Sequence, residues 1–267
     1  MSAAGRGGSM QAEDDAIELH RMNPTLRFTD RARDYVRYRP DYPARAIDAV
    51  LGGLGDPASL VAADVGAGTG ISARLLADRG VRVFAVEPNA AMRDEAAPHP
   101  RVTWIDAAAE ATGLGPESLD LLLCAQAFHW FRQREALVEF HRVLRPRGRL
   151  ALVWNSRDRS DPLTLGYIEA IHAVNGEDPA EQRPFDPEWV SAEGLFTPPG
   201  LETFAHAQEL DLAGFIGRAA SASYVPKEGR PFERLMELLG ALFERHRDPR
   251  GRITLRYVTK VYLAERT

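Results

Sequence analysis

Short runs of apolar residues recur through the middle of the chain, and helical patterns separate most of them. The runs cover residues 61–65, 81–87, 102–107, 119–127 and 149–155. They are rich in Val and Leu and lack polar alternation, which predicts strands that are buried on both faces. Helical segments between such strands suit right-handed crossovers. The sequence therefore predicts an α/β fold with a doubly wound, mostly parallel sheet.

The pattern changes after Asn155. Predicted elements then follow as a helix (163–174), a proline-rich stretch, a strand (201–210), helices within 213–224 and 230–247, and an alternating edge or antiparallel strand (253–265). We expect residues 1–16 to be a disordered tail and 17–52 to be a helical arm or lid. Residues 53–267 would then form one domain with a cap inserted at about 156–200.

Composition narrows the functional classes. The chain has 267 residues and a net charge of −5, with acids and bases interspersed, which argues against nucleic acid as a partner. No apolar run approaches the roughly 20 residues that span a bilayer, and no signal-peptide core precedes the first helix. One cysteine, Cys124, excludes an internal disulfide, and the histidines lack metal-ligand spacing. We expect a cytoplasmic monomer or homodimer without a metal ion.

The stretch DVGAGTG, Asp64 to Gly70, follows the first apolar run and raises a choice between two ligands. A dinucleotide turn, G-x-G-x-x-G, needs its third glycine three residues after the second. Here Gly66, Gly68 and Gly70 are spaced by two. Asp64 at the strand end would repel a pyrophosphate and attract an ammonium group. The stretch therefore favours a ligand with a cationic amino-acid end.

Acidic residues also end the next two runs. Glu87 is placed to accept hydrogen bonds from two ribose hydroxyls, and residues 106–110 are within reach of a base edge. Met92 can lie against a flat base, although packing in the core is an equally good explanation. Together these features predict a nucleoside that carries a cationic amino-acid tail, which describes S-adenosyl-L-methionine.

At this point the sequence resembles the class I S-adenosylmethionine-dependent methyltransferases. The matching stretches are DVGAGTG (64–70), AVEPNAAM (85–92), AEATGL (109–114), LDLLLCAQAFHWF (119–131) and RVLRPRGRLALVWN (142–155). More narrowly, YRPDYP (38–43), AQAFHWF (125–131) and SASYVP (221–226) are similar to the small-molecule subgroup that includes trans-aconitate methyltransferase. The resemblance implies a seven-stranded sheet with one reversed strand.

The resemblance also implies roles for individual residues. The methionine part of the cofactor would meet Asp64, Gly66, Ala67, Gly68 and Gly70, and the ribose would meet Glu87. The adenine would lie beside Pro88, Asn89 and Met92, with Ala108, Ala109 and Glu110 at its far edge and Gln126 near the sulfonium. The acceptor would be an O or N atom, less often C, of a small organic or natural-product molecule.

His129 is the candidate general base, because it follows the fourth strand and its type titrates near neutrality. The alternative is a structural histidine that positions Trp130. In the arm, Tyr38 and Arg39 could cover the cofactor, with the aromatic ring near the sulfonium and the guanidinium on the carboxylate. Candidate substrate residues are Tyr35, Phe128, Trp130, Trp189 and Tyr224.

Three arginines could receive an acidic acceptor: Arg157, Arg159 and Arg218. They could equally be solvated surface residues. Two other functions stay open at this point. One is a reaction that uses the same cofactor pocket without methyl transfer, such as a cyclisation, and the other is a cofactor-binding regulator without turnover.

Overall fold

The computed structural model describes residues 36–175, 185–222, 225–226 and 228–267. The strands are β1 (Val61–Val65), β2 (Arg82–Val86), β3 (Val102–Ile105), β4 (Leu119–Ala125), β5 (Leu144–Arg157), β6 (Gly200–Leu210) and β7 (Ile253–Glu265). The α-helices are α1 (Ala44–Leu51), α2 (Ile71–Ala77), α3 (Ala90–Asp94), α4 (Gln133–Val143), α5 (Pro162–Asn175), α6 (Glu188–Ser191), α7 (Leu212–Ala220) and α8 (Gly229–His246). Short 3₁₀ helices cover Pro57–Ser59 and Phe128–Trp130.

The strands form one seven-stranded sheet in the order β3-β2-β1-β4-β5-β7-β6. Strands β1 to β5 pair in parallel, and β7 pairs antiparallel with both β5 and β6. The predicted mostly parallel sheet with one reversed strand is confirmed. The reversed strand β7 lies inside the sheet, and the edge belongs to β6. The alternating pattern of residues 253–265 therefore reflects antiparallel pairing rather than an edge position.

Successive residues of the central strands face opposite helical layers. Ala62 belongs to one core cluster, which contains Ile47 of α1 and Leu76 of α2. Its neighbour Ala63 belongs to a second cluster, which contains Phe140 of α4. Because both faces of the sheet are covered, apolar residues are favoured at successive positions of a central strand. This requirement explains why the first apolar runs lack polar alternation.

A third core cluster lies at the far end of β6 and β7. It is formed by buried side chains from α5, α7 and α8 together with these two strands, for example Tyr167, Phe215 and Leu239. Helix α5 comes from the segment predicted as a cap at about 156–200. In the structure this helix packs in the same cluster as α7 and α8. This packing holds α7 close to the carboxyl end of β5.

Strand β5 is longer than the apolar run at 149–155 that predicted it. It begins at Leu144, which pairs with Leu119, and its pairing with β4 shifts before Arg149. Arg147, between these two paired positions, has a positive φ of 63°. The predicted arm residues 17–35 lie outside the described residues.

Candidate functional site

The glycine turn after β1 depends on backbone conformations that favour glycine. Gly66, Gly68 and Gly70 have φ values of 71°, 58° and 75°. The amides of Gly66 and Ala67 both donate to the carbonyl of Val86, at 2.9 and 3.1 Å. A Cβ on Gly66 would come within 2.5 Å of the Ala127 Cβ. The turn is therefore held tightly between the ends of β1, β2 and β4.

Asp64 is a fully buried carboxylate beneath this turn. Its Oδ2 accepts a hydrogen bond from the Ser72 hydroxyl at 2.6 Å. Its Oδ1 is buried and accepts no hydrogen bond from the described residues. Burial raises the pKa of Asp64 to about 7, against the lowering effect of the Ser72 hydrogen bond. An unsatisfied buried oxygen of this kind is costly, and a ligand that donates a hydrogen bond to it would remove the cost.

Glu87 joins the glycine turn to the loop after β2. Its Oε2 accepts from the Gly68 amide at 2.9 Å, and its Oε1 accepts from the Asn89 amide at 2.9 Å. Burial raises the pKa of Glu87, although these two backbone hydrogen bonds act in the opposite direction. Each carboxylate oxygen can accept a second hydrogen bond. Glu87 can therefore hold the turn and still accept from a ligand hydroxyl. The link to Gly68 was not predicted.

The residues predicted to flank a base follow directly. Asn89 caps α3, and its side chain accepts from the Met92 amide at 3.3 Å. Met92 is buried and Pro88 is half-buried. Trp104 of β3 lies against the turn, since a Cβ on Gly70 would come within 2.9 Å of its ring. The cap explains why α3 begins here and brings Asn89 and Met92 next to Glu87.

The loop after β3 is a tight turn in which Ala108 pairs with Ala111. Ala109 is buried in the core cluster below it. The Glu110 side chain accepts a hydrogen bond from the Arg132 amide at 2.7 Å, which ties this loop to the start of α4. The structure therefore places the residues predicted to meet the edge of the adenine base beside β2 and β3. One of them, Glu110, also accepts the hydrogen bond that ties this loop to α4.

Gln126 follows β4 with a φ of 58°, which is unusual for a residue other than glycine. Its amide donates to the Val153 carbonyl at 2.8 Å, and its side-chain Nε2 donates to the Asn155 carbonyl at 3.2 Å. Strained residues of this kind cluster at functional sites. Asn155 was missed by the sequence analysis, and its Nδ2 donates to the Asp41 carbonyl at 2.8 Å.

These elements surround a pocket beside the glycine turn. Its described lining consists of Arg39, Pro40, Tyr42, Gly66, Ala67, Ile71, Ser72, Ala125, Gln126, Asn155 and Arg218. The described lining contains two arginines and no acidic side chain. The pocket therefore combines a wall of backbone and small residues with a wall that carries positive charge.

Arg218 lines this pocket, although the sequence did not predict whether its side chain is buried. The alternative that it is a solvated surface residue was wrong, because it is 5% exposed on α7. Arg157 lies 5.0 Å from the centre of the Tyr167 ring, and Arg159 is exposed. Of the three arginines considered for an acidic acceptor, Arg218 is the one that lines the pocket.

His129 lies in the 3₁₀ helix after β4 and does not line the pocket. The Trp154 indole Nε1 donates to its Nδ1 at 3.4 Å, so the neutral ring carries its proton on Nε2. Burial and the nearby positive charge of Arg39 lower the pKa of His129 to about 4. Since an efficient general base has a pKa near the working pH, this environment favours the positioning alternative.

The aromatic candidates are dispersed. Phe128 is buried in the core against Phe131, Phe140 and Phe185, and the Trp130 ring lies 5.0 Å from that of His129. Trp189 is 59% exposed on α6. The structure does not bring these residues into the described pocket. Tyr35 and Tyr224 lie outside the described residues.

Tyr38 lies beside the pocket rather than in its lining. Its ring packs on Gly217 of α7, where an added Cβ would come within 2.3 Å of the ring. Its carbonyl accepts from the Gln208 side chain at 3.0 Å. Within the described residues, no helix is long and apolar enough to cross a membrane, and no cluster of potential ligands would suit a metal ion.

Comparison with known sequences identifies related proteins. Residues 63–152 match the methyltransferase domain family. An uncharacterised methyltransferase of Mycobacterium tuberculosis is 39% identical over 159 residues, which is 59% of this chain and 62% of the relative. An uncharacterised methyltransferase-like protein of Schizosaccharomyces pombe is 36% identical over 151 residues, 56% of this chain and 57% of the relative. The chain thus spans less than two thirds of the length of these curated relatives.

Comparison with solved structures gives the same fold. A protein from Anaeromyxobacter dehalogenans, provisionally described as a type II methyltransferase, has a TM-score of 0.59 at 26% identity, with 85% of this chain and 97% of that one covered. A protein from Anabaena variabilis has a TM-score of 0.60 at 24% identity, with 84% and 98% covered. Residues 63–152 are therefore similar to methyltransferase domains.

Proposed function

We propose that this protein is a class I methyltransferase that uses S-adenosyl-L-methionine to methylate a small organic acid. The buried Oδ1 of Asp64 carries the proposal, because it accepts no hydrogen bond from the described part of the chain and lies at the end of β1, under a turn of three glycines. An ammonium donor would satisfy this oxygen. When bound, S-adenosyl-L-methionine supplies a methyl group that is activated on a sulfonium.

The residues at the strand ends fit the other parts of this cofactor. The turn from Gly66 to Gly70, with Ala67 and Gly68, would admit the amino-acid end close to the backbone. Glu87 would accept from the ribose hydroxyls through the lone pairs that its contacts with Gly68 and Asn89 leave free. Asn89 and Met92 would border the adenine. Arg39 would bind the cofactor carboxylate.

The side chains that line the pocket indicate which kind of methyl acceptor it can use. No described lining residue is a histidine, an acid, a lysine or a cysteine, so this described lining offers no group that ordinarily removes a proton near neutral pH. An acceptor must then be nucleophilic as it arrives. A carboxylate meets this requirement at neutral pH, whereas a phenol, an alcohol or a protonated amine must first lose a proton.

Arg218 supports the same acceptor class. It is a buried guanidinium that lines the pocket, and a guanidinium can bind a carboxylate with two parallel hydrogen bonds. Ile71, Ala125 and Pro40 give the pocket apolar surface that would exclude water around the reacting groups. The protein would thus act mainly by alignment and desolvation. Membership of the trans-aconitate subgroup is part of this proposal.

The proposal is tested by methyl transfer to a panel of small carboxylic acids. The protein is incubated with S-adenosyl-L-methionine labelled on the methyl group, and with aliphatic and aromatic mono- and dicarboxylic acids. We expect one or more acids to yield a labelled methyl ester, with S-adenosylhomocysteine formed in equal amount. The matching amides serve as controls. Labelling of amines or phenols but of no acid would contradict the acceptor class, and a failure to bind the cofactor would contradict the function.

A further inference from the structure

Residues 36–43, called the strap here, form part of the pocket wall through contacts with distant residues. The Tyr38 carbonyl accepts from Gln208 on β6, and Asp41 accepts from Asn155 on β5 at 2.8 Å. The Asp41 carboxylate lies 3.3 Å from the His206 ring, also on β6. The strap is thus attached to two strands at the end of the sheet where the pocket opens.

The third attachment of the strap is to helix α7, and it depends on the absence of a side chain. The Tyr38 ring lies so close to Gly217 that a Cβ at this position would come within 2.3 to 2.5 Å of three ring atoms. Gly217 is buried in the middle of α7, where its φ is an ordinary negative one. Helix conformation therefore does not require glycine here, and the close approach of Tyr38 does.

The same helix connects this contact to the pocket. Arg218, the next residue after Gly217, lines the pocket, and the Ser221 carbonyl accepts from the Arg39 guanidinium at 3.4 Å. Arg39, Pro40 and Tyr42 of the strap line the pocket opposite the glycine turn. The packing of Tyr38 on Gly217 therefore fixes how far the arginine of the strap lies from the arginine of α7.

We propose that Gly217 is a positioning residue: its bare Cα is the docking point for Tyr38, and this contact holds residues 39–42 in place as a wall of the pocket. Arg39, Pro40 and Tyr42 line the same pocket as Gly66 and Ala67, so a displaced strap would expose a bound ligand. Tyr38 acts in this way on α7 instead of on the sulfonium. The ligand-binding part of this inference rests on the proposed function.

The test compares Gly217→Ala with Gly240→Ala. Gly240 lies in α8, where an added Cβ would meet nothing within 4 Å, so it controls for the effect of alanine on a helix. In the ligand-free protein, trypsin cleavage after Arg37 should be about 10-fold faster in Gly217→Ala and unchanged in Gly240→Ala. With S-adenosylhomocysteine as the probe, we expect a dissociation rate about 10-fold higher in Gly217→Ala, with a smaller change in the association rate.

A double-mutant cycle with Tyr38→Ala separates docking from simple damage to α7. If Tyr38 and Gly217 act through one contact, Tyr38→Ala alone should accelerate cleavage as much as Gly217→Ala, and the double variant should add nothing further. Additive effects, or cleavage after Arg37 at the wild-type rate in Gly217→Ala, would overturn the inference. Because cleavage needs no ligand, a protein that failed to bind S-adenosylhomocysteine would contradict the proposed function and leave this result readable.

Discussion

The two walls of the pocket are built in different ways and carry opposite electrostatic character. The glycine-turn wall comes from residues close together in sequence, Gly66, Ala67, Ile71 and Ser72. The buried carboxylate of Asp64 lies outside this lining and accepts a hydrogen bond from the Ser72 hydroxyl. The strap wall brings together Arg39 and the Ser221 region, which are 182 positions apart in sequence. It presents two guanidinium groups. A ligand with a cationic amino group suits the first wall, and groups with negative charge suit the second.

We expect the glycine-turn wall to serve the cofactor and the strap wall to serve both ligands, with Arg39 for the cofactor carboxylate and Arg218 for the acceptor. The glycine-turn wall leaves a specific atom, Oδ1 of Asp64, to be satisfied, and its geometry is fixed by tight backbone packing. The strap wall depends on side chains held by long-range contacts, such as that between Arg39 and Ser221. The changes at Gly66, Arg218 and Asp64 each act on one side of the pocket, and the change at His129 acts outside both walls.

The largest effect is expected from Gly66→Ala in the glycine-turn wall. The new Cβ would lie 2.5 Å from Ala127 and 2.9 Å from Phe131, so the turn must shift. We expect affinity for S-adenosylhomocysteine, measured by calorimetry, to fall at least about 100-fold, with about 2 kcal/mol lost in unfolding free energy. Gly113→Ala is the matched control, since Gly113 has a similar φ of 73° but open space around it. Equal losses in both variants would contradict the role of close packing.

The next effect is expected from Arg218→Gln in the strap wall. A glutamine keeps hydrogen-bonding capacity but removes the charge that would bind a carboxylate. We expect kcat/KM for the acidic acceptor to fall about 100-fold, while affinity for S-adenosylhomocysteine changes less than about 3-fold. Arg159→Gln, at an exposed position, should leave both unchanged. An equally large loss of affinity for S-adenosylhomocysteine in Arg218→Gln would show that the two walls do not act independently.

Asp64 predicts a pH dependence of cofactor binding. Its pKa of about 7 means that the carboxylate form, which would attract an ammonium group, becomes dominant as pH rises from 6 to 8. We expect affinity for S-adenosylhomocysteine to rise about 10-fold over this interval, and this rise should disappear in Asp64→Asn. A flat wild-type profile would speak against contact between Asp64 and the ligand amine.

The same ionisation predicts how stability changes with pH in the ligand-free protein. The folded pKa is raised above the ordinary value of 3.8, so the folded state holds this proton more tightly than the unfolded state does. The contribution of Asp64 to the free energy of unfolding is therefore fully present below about pH 4 and is lost as pH rises through about 7. Denaturant unfolding of wild type and Asp64→Asn across this range should show the loss in the wild type alone.

The smallest effect is expected from His129→Gln. Glutamine can accept a hydrogen bond from the Trp154 indole in place of the histidine Nδ1. We expect kcat to fall less than about 3-fold and the dependence of rate on pH to keep its shape. Disappearance of one ionisation from the pH profile would instead establish His129 as the general base.

The sequence predicted the glycine-turn wall well because local rules determine it. Parallel strands end at one edge of the sheet, so residues such as Asp64, Glu87 and Gln126, which follow apolar runs, could be expected to lie together. Their hydrogen-bond partners could not be predicted in the same way. The contact of Glu87 with the Gly68 amide depends on side-chain orientation, and Phe128 packs in the core although an aromatic loop would equally suit a pocket.

The strap wall was predicted only in part: Arg39 was named, but Asn155 was missed and Arg218 was left open, because their positions depend on contacts between distant parts of the chain. The position of Arg218 requires the packing of α7 with β6, and that of Asn155 requires its pairing with β7. A signal for Arg218 was nevertheless present. It lies three residues after Phe215 and next to Ala219, so a charged residue occupies the apolar stripe of an otherwise buried helix. Charged residues on such stripes are candidates for binding roles.

The most direct test of cofactor binding at Asp64 is a crystal structure of the protein with S-adenosylhomocysteine. We expect the ligand amino group to lie within hydrogen-bond distance of Oδ1 of Asp64, with the ribose hydroxyls at Glu87 and the sulfur facing the space between Gln126 and Arg218. Ligand density at another edge of the sheet, or an Asp64 Oδ1 that makes no contact with the bound ligand, would contradict it.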